Sequence, residues 1–277
     1  MNRPRLPDED PALGDVKLVR RLGGGGGWNE TWLAARGEER LVVRFDTPAV
    51  RRLGLDRAAE ARVLRSVQGR ELGPELVFAD PRRGLLVTRW LPGRTCATAM
   101  LRSPHILRAL GFSLRRLHET VAPPSAAASL DLARTLADYA TAVGGVRART
   151  AARSGVRSLK AAAGSRRSPA LCHNDPVIQN VLLGHSLRLI DWEFAAPGDP
   201  LFDLAVVVGH HDLPAEPARI LLAAARGRVR TSEWRALTHL VNSYRHLRAL
   251  WEALTAKCLP LRRRQTGAIA GYVSRNR

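Results

Sequence analysis

Lysine is nearly missing from this chain. Lys17, Lys160 and Lys257 are the only three, so a formal net charge of +19 over 277 residues is almost entirely arginine. The arginines are spread along the chain and are not gathered with aromatic residues into a stripe, which argues against nucleic acid as the partner. The longest basic run, Arg262-Arg263-Arg264, reads as a solvated end. Cysteine is also scarce: Cys96, Cys172 and Cys258 are odd in number and scattered. That pattern excludes a disulfide framework and a zinc spacing and points to a reducing compartment. No apolar run approaches a membrane span, and the Pro- and acid-bearing start is unlike a signal peptide. A soluble, cytoplasmic protein with no membrane partner is expected. Internal repeats are absent. No Gly-Lys-[Ser/Thr] follows the glycine run at 23–27, which excludes a Walker-type phosphate loop.

What is present is concentrated between Cys172 and Glu193. His173-Asn174-Asp175 is followed by Asn180 and then by Leu189-Ile190-Asp191-Trp192-Glu193. The stretches 181–183 and 187–190 read as two short strands joined by a turn at 184–186. Such a hairpin brings Asn180, just before its first strand, close to Asp191, at the end of its second. Asp and Asn also cap helices and stabilise turns, so none of these residues is informative alone. Their order and spacing, H-x-D-x-x-x-x-N and then an Asp flanked by apolar residues, form the pattern of a kinase catalytic loop and metal loop. Phosphoryl transfer from a nucleotide needs such a set: one carboxylate near the acceptor hydroxyl, and an amide and a second carboxylate for magnesium.

Upstream, 16–22, 28–35 and 40–45 read as strands, with the glycine run between the first two. Gly24, Gly25, Gly26 and Gly27, with Asn29 just beyond, are candidates for covering phosphates, since glycine lets backbone N–H groups approach closely. A floppy linker would have the same composition. Arg44, within Leu41-Val42-Val43-Arg44-Phe45, stands where protein kinases place a phosphate-pairing lysine, and its guanidinium fork suits bidentate pairing. The segment 57–67 has helical composition, and Glu60 is either the partner of Arg44 or a solvent-facing helix residue. Strands over 76–78 and 85–88 complete a small sheet. Helical patterns follow at 107–119, 130–143, 215–225 and 232–254, and 201–209 begins an apolar helix. A Pro, Ala and Ser-rich loop is expected at 121–129. The segment 144–168 shows little periodicity, and only 158–163 hints at a helix. Tyr244 and Trp251, seven residues apart, fall on one helix face. They form either core or a cation–π wall for a quaternary ammonium or thiazolium group.

The segments CHNDPVIQNVLL, LRLIDWEFA and GDPLFDLA resemble the choline kinase, thiamine kinase and aminoglycoside phosphotransferase group, small-molecule kinases with a protein-kinase-like fold. The resemblance runs from about Val19 to about Trp251, and H-N-D with I-D-W-E leans toward the choline and thiamine branch. It implies a two-lobe α+β fold: a loose lead-in over 1–15, a nucleotide-binding small lobe over 16–91, and a largely helical lobe over 92–277. It implies Asp175 as the residue that orients, or deprotonates, an acceptor hydroxyl, with Asn180 and Asp191 holding Mg²⁺ against ATP. His173 then anchors the loop through a backbone hydrogen bond, and Cys172 is buried strand filler. Backbone groups of Arg89, Trp90 and Leu91 would meet adenine, although Trp90 also suits packing between lobes. Glu193 matches the acid that faces a cationic substrate, and Asp203 a buried support of the catalytic loop. His118 reads as a core histidine. Phe194 stands where the choline branch often has Tyr, which tells against choline itself. The function implied is an ATP-dependent kinase of a small hydroxyl-bearing, cationic metabolite, with thiamine and choline leading. An aminoglycoside-type phosphotransferase and a nucleotide-binding pseudokinase are the rivals. A protein kinase is excluded by the lack of Asp-Phe-Gly and Ala-Pro-Glu.

Overall fold

In the computed structural model, the described residues are 6, 13–23, 29–51, 55–124, 129–163 and 167–258. The glycines Gly24 to Gly27 lie outside them.

The N-terminal part is a five-stranded antiparallel sheet. Its strands are β1 (Lys17–Gly23), β2 (Asn29–Arg36), β3 (Glu39–Asp46), β4 (Leu76–Asp80) and β5 (Leu85–Arg89), in the order β1-β2-β3-β5-β4. Alternation along β3 sets its two faces. Leu41 and Val43 are buried with Ala34, Leu85 and Val87, and Leu6 and Leu13, from the expected lead-in, pack against the same cluster. Val42 and Arg44 therefore point to the other face. There, Leu22, Leu91 and Leu182 form an apolar slab with Leu33, Val42, Trp90 and Ile190, joining the sheet to the rest of the molecule.

A short helix α1 (Pro48–Arg51) precedes α2 (Arg57–Val67). Asp56 starts α2 by accepting from the Ala59 N–H at 2.8 Å, the side-chain cap expected of Asp at this position. Val63, Leu64 and Val67 on its buried face join the main core, which belongs to the helical part.

The helical part contains α3 (Pro104–Thr120), α4 (Leu132–Val143), α5 (Gly145–Ala162), α6 (Pro200–His210), α7 (Ala215–Arg226) and α8 (Thr231–Cys258). α3 packs on α7, while α4, α5 and α6 all pack on α8. Gly111 allows the first contact, since a Cβ there would lie 2.6 Å from the Ala224 Cβ. The segment from Gly145 to Ala162, where only 158–163 hinted at a helix, is an 18-residue helix throughout. Its buried face is Ala148, Ala152, Gly155 and Ala162, residues too small to register as an apolar stripe. They let α5 lie close to its neighbours: a Cβ on Gly155 would be 2.8 Å from the Leu136 Cδ1.

Two further small sheets, one of two strands and one of three, complete the described fold. In chain order, the strands are β6 (Arg94–Thr95), β7 (Ala170–Cys172), β8 (Val181–Leu183), β9 (Leu187–Leu189) and β10 (Ala196–Gly198). β8 pairs with both β6 and β9, and β7 pairs with β10. The predicted hairpin is present, with Val181 opposite Leu189 and Leu183 opposite Leu187.

Candidate active site

The ladder of the β8–β9 hairpin extends one bond beyond its strands, from the Ile190 N–H to the Asn180 carbonyl at 2.9 Å. This bond brings Asn180 beside Asp191. The Asn180 amide donates to both the backbone carbonyl and the Oδ2 of Asp175, each at 3.0 Å. The three residues singled out by their spacing thus meet at one place. Two of the positions involved have left-handed backbone, Asn174 (φ 62°) and Asp191 (φ 65°). Such values are uncommon for residues other than glycine and concentrate at functional sites.

Asp203 holds the Asn174 turn in place. Fully buried at the start of α6, it accepts from the N–H groups of His173 (3.0 Å) and Asn174 (2.6 Å) and lies 2.8 Å from the His118 Nε2. His173 lies with its Nε2 3.1 Å from the Ile190 carbonyl, and its Nδ1 accepts from the Asp175 N–H at 3.3 Å. Burial lowers its pKa to about 4, so the ring is neutral near neutral pH. It joins the two loops by hydrogen bonds rather than by charge. Trp192 packs behind it at 4.7 Å and donates to the Leu189 carbonyl. Cys172, expected as buried filler, is buried in β7.

The carboxyl groups of Asp175 and Asp191 are held away from their ordinary ionisation. Burial, then the charges of Asp191 and Glu193, push Asp175 well above the usual carboxylate range. Burial and Glu193 lift Asp191 to about 8, with Arg44 working the other way. Asp191 Oδ1 is buried without a hydrogen bond, 3.6 Å from the Arg44 Nη1, and Asn180 Oδ1 is likewise buried and unbonded. Two hard oxygen donors without a hydrogen-bond partner, in carboxyl and amide groups of a site where burial and then mutual repulsion raise the carboxyls of Asp175 and Asp191, fit a magnesium ion.

Arg44 and Glu60 form a buried bidentate pair, with Arg44 Nη1 2.7 Å from Glu60 Oε1 and Nη2 bonded to Oε2. Burial works against both charges. Glu60, Glu193 and Asp191 nevertheless raise Arg44, and Arg44 with Arg57 lowers Glu60. Arg57 is a further member, read in the sequence only as the start of a helix. It is buried and reaches Asp46 (2.8 Å), Glu60 (3.0 Å), Glu193 (2.9 Å) and the Asn29 Oδ1 (3.2 Å). The signal for it was the Arg57-x-x-Glu60 spacing, which puts both side chains on one helix face. Of the acids that Arg57 joins, only Glu193 is far away in sequence, 136 residues on, and spacing alone gave no sign of that partner.

Other expected residues land differently. The N–H groups of Arg89 and Trp90 are already bonded to the carbonyls of Glu75 (2.9 Å) and Arg40 (3.0 Å). Of the three residues expected to meet adenine, only Leu91 keeps its N–H out of the backbone bonding among the described residues. The Arg89 side chain is turned to Glu39 and Glu75. Tyr244 is buried core: its hydroxyl lies 2.9 Å from the His210 Nδ1 and its ring meets Phe202 edge-on. Gly209 makes room for it, since a Cβ there would be 2.9 Å from the ring. Trp251, on the same helix face, instead joins Tyr139 (5.5 Å) and Phe194 (5.6 Å) in a half-buried aromatic group. Tyr139 was counted in the sequence only as part of a helix. Its pKa is lifted to about 12 by burial and then by the Glu193 charge.

The fold is kinase-like. The model of the phosphotransferase enzyme family matches residues 19–259, and the chain belongs to that family. A choline/ethanolamine kinase family protein from Mesorhizobium loti superposes with a TM-score of 0.72 at 23% identity, covering 91% of this chain and 90% of that one. Choline kinase LicA from Streptococcus pneumoniae gives 0.73 at 18% identity, over 89% and 88%. Protein LicA of Haemophilus influenzae is 46% identical over 52 residues, 18% of this chain and only 20% of that relative. No described helix is long and apolar enough to cross a membrane.

Proposed function

We propose that the protein transfers the γ-phosphate of ATP to a hydroxyl of a small cationic metabolite, with choline and thiamine as the leading acceptors. The observation that carries this reading is the meeting of Asp175, Asn180 and Asp191, with the Oδ1 atoms of Asn180 and Asp191 buried and unbonded. Asp175 receives the acceptor hydroxyl and takes its proton onto the carboxylate as the oxygen attacks. Its raised pKa, set first by burial, suits it to hold that proton. Asn180 fixes the carboxylate through its amide and offers its Oδ1, with Asp191, to magnesium. The bound metal would supply charge neutralisation on the nucleotide phosphates. Arg44, locked by Glu60, presents a fixed guanidinium toward the same side as Asp191. A site of this kind works by positioning and electrostatics.

The apolar slab of Leu22, Val42, Leu182 and Ile190 is a suitable bed for a purine, with the Leu91 N–H as donor. Asn29, bonded to Glu193 at 3.2 Å, ties the end of the glycine run to the metal loop. Gly24 to Gly27 retain their proposed role as phosphate cover. The cationic acceptor is favoured by Tyr139, Phe194 and Trp251 beside the charge of Glu193, an arrangement that attracts ammonium-type groups.

The test is magnesium-dependent ADP release with choline, ethanolamine, thiamine and kanamycin offered separately. One of the first three should stimulate turnover, and Asp175→Ala should reduce it about 10²–10⁴-fold. Stimulation by kanamycin alone would move the protein to the antibiotic branch. Turnover unchanged in Asp175→Ala would remove the proposed mechanism.

A further inference from the structure

The helical part has a second concavity, one the candidate active site does not use. It is a groove of about 470 Å³ between α5 and α8. On α8, His239, Asn242 and His246 lie on the side of the helix opposite Tyr244, with Arg245 at its flank, as the helical repeat requires. On α5, Arg157 and Ser158 face it from the same side.

Three features give this groove a chemical character. No carboxylate lines it. Its two guanidinium groups are only lightly engaged: Arg157 bonds the Ser154 hydroxyl at 2.9 Å, and Arg245 reaches Asp212 at 2.7 Å at an exposed edge. Ser158, His239, Asn242 and His246 make no side-chain hydrogen bond or ion pair among the described residues. The surrounding field has the same sign, because α5 carries Arg147, Arg149, Arg153, Arg157 and Lys160 and no acid at all. Hydroxyl, amide and imidazole donors between two guanidinium forks match the oxygens of a phosphate group.

We propose that this groove binds a compact phosphate-bearing small molecule, at a site separate from the catalytic one. Its volume is that of a small-ligand pocket. No Phe, Tyr or Trp lines it, so it lacks the stacking surface that single-stranded nucleic acid uses.

The test follows the ring signals of His239 and His246 by NMR in the full-length, isotope-labelled protein during titration with inorganic pyrophosphate. The proposal expects saturable shifts of both rings. In the Arg157→Ala/Arg245→Ala double variant the affinity should fall about tenfold or more, with ADP release in the kinase assay unchanged. Should that variant fail to fold, Ser158→Glu, which sets a carboxylate in the groove, replaces it with the same expectation. Shifts that never saturate, or that persist unchanged in the variants, would mean an adventitious ion only and overturn the proposal. Tighter binding of a short single-stranded oligothymidylate at the same rings would overturn it too.

Discussion

Replacing Asp191 with asparagine separates what the site costs the fold from what it does for the reaction. Burial and the neighbouring Glu193 lift this carboxyl from 3.8 to about 8. A raised acid holds its proton more tightly in the folded chain than in the unfolded one. Its contribution to stability is fully present below 3.8 and is lost as the pH rises through about 8. At about 1.4 kcal/mol per pH unit, the ceiling on that loss is about 6 kcal/mol. Asparagine keeps the shape and cannot ionise, but it surrenders the attraction between Asp191 and Arg44. The advantage of Asp191→Asn over the wild type should therefore grow by about 1–3 kcal/mol between about pH 5.5 and about pH 8.5. Urea midpoints at the two pH values, with an unchanged slope m, measure it. Adding magnesium and nucleotide at the higher pH should stabilise the wild type and leave the variant where it was. An advantage that stays flat, or shrinks, as the pH rises would refute the reasoning.

Other substitutions probe the parts around it. Arg57→Ala strands Asp46, Glu60 and Glu193 without their shared cation and should cost about 3–5 kcal/mol, read as a fall in Tm. Arg57→Lys should recover only part of this, since one ammonium cannot fork among three acids. Gly111→Ala sets a methyl 2.6 Å from the Ala224 Cβ and 2.9 Å from the Leu221 carbonyl oxygen. Urea unfolding should show it destabilised by about 1–3 kcal/mol, although alanine is the better helix former. Trp251→Ala should raise the KM of the cationic acceptor about tenfold while leaving the KM for ATP unchanged.

The centre of the site was legible because its parts are close in sequence. The hairpin that joins Asn180 to Asp191 is written in two short apolar runs and a turn. The Arg44–Glu60 pair was also readable, since it falls at a recognisable place in the strand and helix order, and the support from Asp203 was implied by the family resemblance. Arg57 was not, because the acids that define it come from three separate elements. α5 was missed for a different reason: a face of Ala and Gly buries little apolar area and leaves no periodic signal. Tyr244 and Trp251 do share a face, as their spacing predicted, but spacing cannot tell which neighbour each ring meets. Here α6 encloses one, and Tyr139 with Phe194 receives the other. At Arg89 and Trp90 the unforeseen fact was competition, since neighbouring carbonyls had already claimed the donors.

The few residues from Leu189 to Glu193 answer to two masters. Trp192 is rooted in the main core against His173, while Glu193 is tethered to α2 through Arg57. Asp191 lies between these two fixings with its backbone in the left-handed region. A rocking motion of the sheet and α2 against the helices would accordingly be felt as tension on Asp191 itself. On the proposed reading, opening the cleft to release product and loosening the grip on magnesium would then be one mechanical event.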